Sequence, residues 1–127
     1  MIKVRLNGDF YFTNSDLVEK NYAKAIMTDC WMTIEIGDER CFDDWVCPLE
    51  LYFQYLDWKK DYLKGNIHDF NYISDDNAEN PILSFKFSDD NWEIFSCLYK
   101  TNQKIETIDV LGFFDSFETQ LLKHKKQ

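Results

Sequence analysis

The side chains best suited to acid–base chemistry are the two histidines, His68 and His124. A hydrolase triad needs a nucleophile beside a histidine that a carboxylate orients. Asp69 follows His68 directly, but neighbouring strand residues point to opposite faces, so we do not expect this pair to cooperate. His124 lies in a basic tail that we expect to fray. The sequence therefore predicts a surface or turn histidine at position 68 and no catalytic residue.

Carboxylates are the second source of chemistry, because 23 Asp and Glu residues provide many pairs that could bind a divalent metal. The adjacent pairs are Asp43-Asp44, Asp75-Asp76 and Asp89-Asp90. All fall at predicted turns or loops, where Asp is common for backbone reasons. The stretch 75–79 lacks the glycine of a calcium-binding loop. We expect no metal or cofactor, and an enzyme that uses surface carboxylates with a divalent metal is an alternative hypothesis.

The four cysteines are Cys30, Cys41, Cys47 and Cys97, and none forms a Cys-x-x-Cys pair. Their spacing matches no zinc-ligand pattern, so we expect reduced, free thiols. Met1 leads directly into a strand pattern without a signal peptide, and no apolar run has the length of a membrane span. These features predict a cytoplasmic location, in which thiols stay reduced.

The charge balance is acidic, with 14 basic against 23 acidic residues and a formal net charge of −9. Three of the basic residues, Lys123, Lys125 and Lys126, lie in the last five positions, so the rest of the chain is more acidic still. Such a field repels phosphate backbones and anionic membranes, and we expect neither as a partner. It attracts a basic protein. The alternative is that the acidity only maintains solubility.

Acidic residues are concentrated between Asp29 and Glu50, where Arg40 is the only basic residue. The members of this group that flank a predicted hairpin turn, and so could share one surface, are Asp38, Glu39, Asp43 and Asp44. A patch of this kind can cover a cationic active site, such as that of a nuclease toxin. The alternative interpretation is a solvated hairpin.

Hydrophobic periodicity and turn residues predict one α+β domain over residues 1–127, with a frayed tail at 123–127. The predicted helices cover about 16–26, 48–64 and 110–123, with Asp109 as the cap of the last. The predicted strands cover 2–12, 30–36, 40–42, 67–73, 82–88 and 91–99, and 74–81 is a polar loop. We expect a mostly antiparallel sheet of about six strands with three helices, in the order β-α-β-β-α-β-β-β-α.

The helix over 48–64 has two apolar sides when it is wound at 100° per residue. The aromatic stripe on one of them consists of Leu51, Tyr55, Trp58 and Tyr62. If it were exposed, Tyr55, Trp58 and Tyr62 would form a surface typical of protein-binding hot spots. The alternative is that the aromatic stripe packs against another helix.

Several segments resemble small bacterial proteins that accompany polymorphic toxins as immunity proteins. They are Ile34–Asp38, Trp45–Leu51, the aromatic helix to Lys59, Ile82–Lys86 and the Phe-rich last helix. The resemblance covers about residues 2–122, concerns fold rather than function, and transfers no site residue. It implies a rigid acidic domain that binds a cognate toxin stoichiometrically and blocks its active site. The leading hypothesis is thus a toxin inhibitor, with a regulatory interaction module as a further alternative.

Overall fold

The computed structural model describes residues 2–74, 80–96 and 103–126. These residues form nine strands and four helices. The strands are β1 (Ile2–Asn7), β2 (Phe12–Thr13), β3 (Cys30–Ile36), β4 (Glu39–Val46), β5 (Phe70–Tyr72), β6 (Leu83–Ser88), β7 (Asn91–Phe95), β8 (Gln103–Ile105) and β9 (Lys125–Lys126). The helices are α1 (Asn14–Val18), α2 (Tyr22–Ala25), α3 (Pro48–Leu63) and α4 (Thr107–Leu122).

Two antiparallel sheets contain most of the described strands. The first sheet has the order β1-β3-β4 and the second has the order β5-β6-β7-β8, while β2 pairs in parallel with β9. The α+β class and the antiparallel pairing confirm the prediction. The predicted single sheet is wrong, because the described strands divide into three sheets. The predicted counts and order also differ, because the described residues include the additional strands β2, β8 and β9 and two short helices in place of the first one.

Gly8 ends the first strand, which the sequence predicted to continue to residue 12. Its φ is +155°, and a Cβ at this position would lie 3.1 Å from the Cα of Cys30. Glycine tolerates both this conformation and this close approach. The chain therefore leaves β1 at Gly8, and Phe12 and Thr13 form the separate strand β2.

Lys20 divides the first predicted helix into α1 and α2, because its φ of +49° is incompatible with an α-helix. Thr13 caps α1: its hydroxyl accepts a hydrogen bond from the Asp16 backbone N–H at 3.2 Å, and the Asp16 carboxylate accepts one from the Thr13 N–H at 2.8 Å. The side chain of Asn21 caps α2. Both short helices thus begin at a capping residue that satisfies their first amide groups.

The hairpin of β3 and β4, helix α3 and the central position of β7 confirm the sequence prediction. Helix α4 begins at Thr107 rather than at 110, and its N-cap is Glu106 and not the predicted Asp109. Asp109 lies in the first turn and accepts a hydrogen bond from the Glu106 N–H at 3.1 Å. The strand predicted over 67–73 is limited to β5. Residues 75–79 of the predicted loop and 97–99 of the predicted strand lie outside the described residues. None of the described helices is both long and apolar enough to cross a membrane.

The described part of the basic tail, up to residue 126, lies against the β2 segment, whereas the sequence predicted a frayed end. Lys125 and Lys126 pair with Phe12 and Thr13 as strand β9. His124 stacks on Phe10 with ring centroids 4.0 Å apart, and its Nδ1 lies 3.1 Å from the Phe10 carbonyl oxygen. This ring contact and the short parallel pairing together hold the tail against the β2 segment.

The core is centred on Phe114 of α4, which is fully buried. Its ring stacks on Tyr55 of α3 at 4.1 Å between centroids and lies 5.0 Å from Phe70 of β5. Both α3 and α4 therefore turn aromatic side chains towards the second sheet. Large aromatic rings bury the most apolar area per side chain, so this cluster dominates the stability of the fold.

Replacement of Phe114 by Ala should lower the free energy of unfolding by about 3–5 kcal/mol, because it leaves a cavity where several rings meet. Ile108→Ala on the same helix is the matched control: Ile108 is 73% exposed, and its loss should change stability by less than about 0.5 kcal/mol. Urea unfolding followed by tryptophan fluorescence measures both variants. Equal losses in the two would contradict this account of the core.

Candidate functional site

The aromatic stripe of α3 belongs to the core. It is therefore not an exposed binding surface, which was one of the two interpretations of its sequence. Tyr55 and Trp58 are each only 4% exposed. Tyr55 stacks on Phe114, and the Trp58 indole N–H donates to the His68 carbonyl oxygen at 2.8 Å. Burial raises the pKa of Tyr55 to about 12. Tyr62 is half-buried and stacks on Trp58 at 5.1 Å, so the second apolar side of α3 packs internally, mainly on α4.

The four acidic residues of the hairpin do not form one patch. Asp38 and Glu39 are exposed at the turn, whereas Asp43 and Asp44 are half-buried in β4. Asp43 and Asp44 are neighbours in a strand and therefore point to opposite faces. Asp44 accepts a hydrogen bond from the Trp45 backbone N–H at 2.7 Å. The predicted common acidic surface is thus limited to the turn.

The first sheet has one face turned to the core and one outer face. Val4, Ile34 and Phe42 form a buried row across β1, β3 and β4. The outer face consists of three rows: Asn7 with Trp31 and Trp45, Arg5 with Thr33 and Asp43, and Lys3 with Glu35 and Arg40. It carries three basic and two acidic side chains, so it is a mixed surface on an otherwise acidic protein.

Two tryptophans dominate one end of the outer face. Trp31 and Trp45 are cross-strand partners and pack edge-to-face, with centroids 5.3 Å apart and planes at 84°. Trp45 is 54% exposed, while Trp31 on the neighbouring strand is half-buried. Because an aromatic pair of this kind is held in place before any partner arrives, little side-chain entropy is lost on binding.

Asp43 fixes the position of Trp31 by accepting a hydrogen bond from its indole N–H. The Thr33 hydroxyl donates to the same carboxylate at 3.3 Å, and Arg40 lies 3.4 Å from it. Arg40 also approaches Glu35 at 3.6 Å. The Trp31 hydrogen bond, together with the charge of Arg40 and the Thr33 hydroxyl, holds the pKa of Asp43 below its usual value against partial desolvation.

A β-bulge brings Arg40 and Asp43 to the same face. Ile34 pairs with Phe42 and Glu35 with Arg40, so Cys41 is an extra residue in β4. In a regular strand without this bulge, residues 40 and 43 would point to opposite faces of the sheet. The sequence contains a signal for the tryptophan pair, because Trp31 and Thr33 are two residues apart, as are Asp43 and Trp45. Sequence reasoning missed this signal.

A cavity of about 160 Å³ opens beside Trp45, between the end of β4 and the residues next to β5 and β6. Its lining residues are Asp29, Asp44, Trp45, Val46, Cys47, Tyr72, Ser74 and Ile82. Two carboxylates and an indole therefore surround a space large enough for a side chain. A cationic side chain is the group that this lining favours.

His68 is exposed and lies between two acceptors. Its Nε2 is 3.0 Å from the Asp61 carboxylate and its Nδ1 is 2.9 Å from the Asp69 carbonyl oxygen. These contacts, the Asp69 carbonyl first, raise the pKa of His68. The sequence correctly placed His68 at the surface, but its carboxylate partner is Asp61 of α3 and not the neighbouring Asp69 side chain.

The described residues contain no group of three or more His, Cys, Asp or Glu side chains arranged to hold a metal ion. Cys30, Cys41 and Cys47 are buried, and Cys97 lies outside the described residues. Burial raises the pKa of Cys30 to about 12 and that of Cys41 to about 11. Both groups stay protonated at neutral pH and are poor nucleophiles.

Replacement of Trp31 by Phe should raise the pKa of Asp43, because it removes the hydrogen bond that contributes most to lowering it. A depressed carboxyl pKa stabilises the fold above the unfolded value of about 3.9, and this stabilisation is lost as the pH falls through the folded value. NMR titration of the Asp43 carboxyl carbon measures the change. Trp45→Phe is the control and should leave this pKa unchanged. An unaltered titration in Trp31→Phe would contradict the assignment.

Comparisons with known proteins identify the family to which this arrangement belongs. No curated protein sequence and no solved structure gives a significant match. One family model matches nearly the whole chain. The chain belongs to the family described as a domain of unknown function (DUF7878), whose model matches residues 2–125.

Proposed function

We propose that this protein acts by binding another protein through the Trp31–Trp45 end of its outer face. The supporting observation is the exposed Trp45, which rests edge-to-face on a Trp31 that Asp43 fixes. Tryptophan and arginine are enriched among the residues that dominate binding energy. Here Trp45 and Arg40 lie on the same rigid sheet face, and no folding step is needed to present them.

The partner that the charge favours is a basic protein. A net charge of −9 attracts a cationic surface over long range and raises its association rate. The exposed Asp38 and Glu39 at the hairpin turn add local negative potential beside the outer face. Together with the resemblance to immunity proteins, this supports the proposal that the protein is a stoichiometric inhibitor of a cationic toxin, such as a nuclease.

Trp45→Ala should weaken capture of this partner about thirtyfold, the loss expected when an interface hot spot is truncated. The wild-type protein, Trp45→Ala and the control Ile108→Ala are used as bait in lysate of the native host at low and moderate salt. We expect the wild type and Ile108→Ala to retain one basic protein stoichiometrically, with less retained at higher salt.

The retained protein is then produced alone in cells. It should stop growth, and co-production of the wild type, but not of Trp45→Ala, should restore it. Equal capture by Trp45→Ala would overturn the proposed surface. A captured partner without toxicity would overturn the immunity role and favour the regulatory interaction module.

A further inference from the structure

The cavity beside Trp45 is lined by two carboxylates that keep unused acceptor capacity. Asp29 is exposed, and within the described part of the chain neither of its oxygens has a hydrogen-bond or ion-pair partner. Asp44 accepts one hydrogen bond through Oδ1, from the Trp45 N–H, and its Oδ2 has no partner among the described residues. Three carboxylate oxygens around this cavity can therefore accept hydrogen bonds from a ligand.

The remaining wall of the cavity is apolar and aromatic. The indole of Trp45 is 54% exposed and is supported edge-to-face by Trp31. Val46 and Ile82 are buried and add aliphatic surface to the lining. Tryptophan is the best side chain for a cation–π contact, and aliphatic surface suits the methylene stem of a lysine or arginine. The cavity thus offers one wall to the stem of such a side chain and carboxylates to its head.

A buried carboxylate lies behind the lining of the cavity. The hydroxyl of Tyr72, one of the lining residues, donates to the Glu50 carboxylate at 3.1 Å and accepts from the Cys47 N–H at 3.0 Å. Glu50 is only 2% exposed. Because charges interact more strongly away from bulk water, this carboxylate adds to the attraction that a cation in the cavity experiences. None of the eight residues that line the cavity is basic.

We infer that this cavity takes one lysine or arginine side chain of the partner and anchors the partner beside Trp45. This inference deepens the proposed function and rests on it. The cationic head would bind between the carboxylates of Asp29 and Asp44, while the stem lies along the indole. A volume of about 160 Å³ holds one side chain and not a longer segment of chain. The net charge attracts any basic surface, whereas this contact selects one residue of it.

The test titrates the full chain, labelled with ¹⁵N, with N-acetyl-lysine N-methylamide. We expect saturable shifts of the Trp45 backbone and indole N–H signals with a roughly millimolar Kd, as a ligand of this size allows. N-acetyl-norleucine N-methylamide has the same four-carbon stem without the ammonium group. It should bind about tenfold more weakly, because it makes no hydrogen bond to a carboxylate. Equal binding of the two compounds, or no saturable binding of the lysine compound, would overturn the inference.

Asp29→Asn should weaken binding of the lysine compound about three- to fivefold, since it removes the charge of one exposed carboxylate and keeps its shape. Asp115→Asn is the matched control, because it makes the same change at an exposed position of α4 that does not line the cavity. Its effect should stay below about 1.5-fold. Equal weakening by both variants would show that the compound responds only to the net charge, and would overturn the inference.

Failure of this inference can be distinguished from failure of the proposed function when Asp29→Asn and Trp45→Ala are both compared with the wild type in capture of the native partner. Weaker capture by both variants supports the anchor and the tryptophan surface. If Trp45→Ala loses the partner while Asp29→Asn retains it fully, the surface stands and the anchor is overturned. If only Asp29→Asn loses the partner, the anchor is supported and the tryptophan surface is overturned. Full capture by both variants overturns both.

Discussion

The packing of Phe114 against five other rings is the interaction on which the rest of the protein depends. Its neighbours are Tyr55, Trp58, Phe70, Phe85 and Phe113, with centroid distances of 4.1 to 5.6 Å. They belong to α3, α4 and the second sheet, so one fully buried ring joins three parts of the chain. Because α3 and α4 both direct their aromatic sides here, neither helix covers the outer face of the first sheet with aromatic rings.

The position of α4 has a second consequence at the edge of the first sheet. Once Phe114 and Phe117 hold α4 in the core, Gln120 further along the same helix reaches β1, where it accepts a hydrogen bond from the Leu6 N–H and donates one to the Val4 carbonyl. The packing that stabilises the fold thereby blocks one sheet edge. On the outer face of the same sheet, Trp45 stays 54% exposed, and this exposure is what makes the face a candidate site.

The sequence predicted those elements whose signals are local. Pro48 and Gly65 mark the ends of α3, and alternating apolar residues identify β3. It could not predict β9, because the pairing of Lys125 with Phe12 joins two ends of the chain through only two residues each. Periodicity likewise placed Tyr55 and Trp58 on the same side of α3, but it did not identify α4 as the helix that packs against them.

The candidate site was harder to predict, because it depends on the pairing register of β3 with β4, which hydrophobic periodicity does not specify. Strict alternation separates Arg40 from Asp43, and only the bulge at Cys41 places both on the outer face. The acidic hairpin does not act as one surface for a simpler reason, because Asp43 and Asp44 are adjacent strand residues: Asp43 is held by Trp31, Thr33 and Arg40, while Asp44 turns to the opposite side. A count of acidic residues could therefore predict attraction of a basic partner, but not the contact surface.

Long-range attraction and close contact are separate properties of this surface. In the proposed interaction, the net charge acts over about a Debye length of 8–10 Å and speeds encounter with a basic partner, whereas Trp45 acts only at contact. Asp43 lies at the centre of the outer face, yet its hydrogen bonds are already made within the sheet. Binding therefore does not have to desolvate an unpaired carboxylate there, and the Trp31 ring that supports Trp45 keeps its orientation. Affinity should accordingly respond to Trp45 more than to any single acidic residue, while the association rate should respond to the acidic residues collectively.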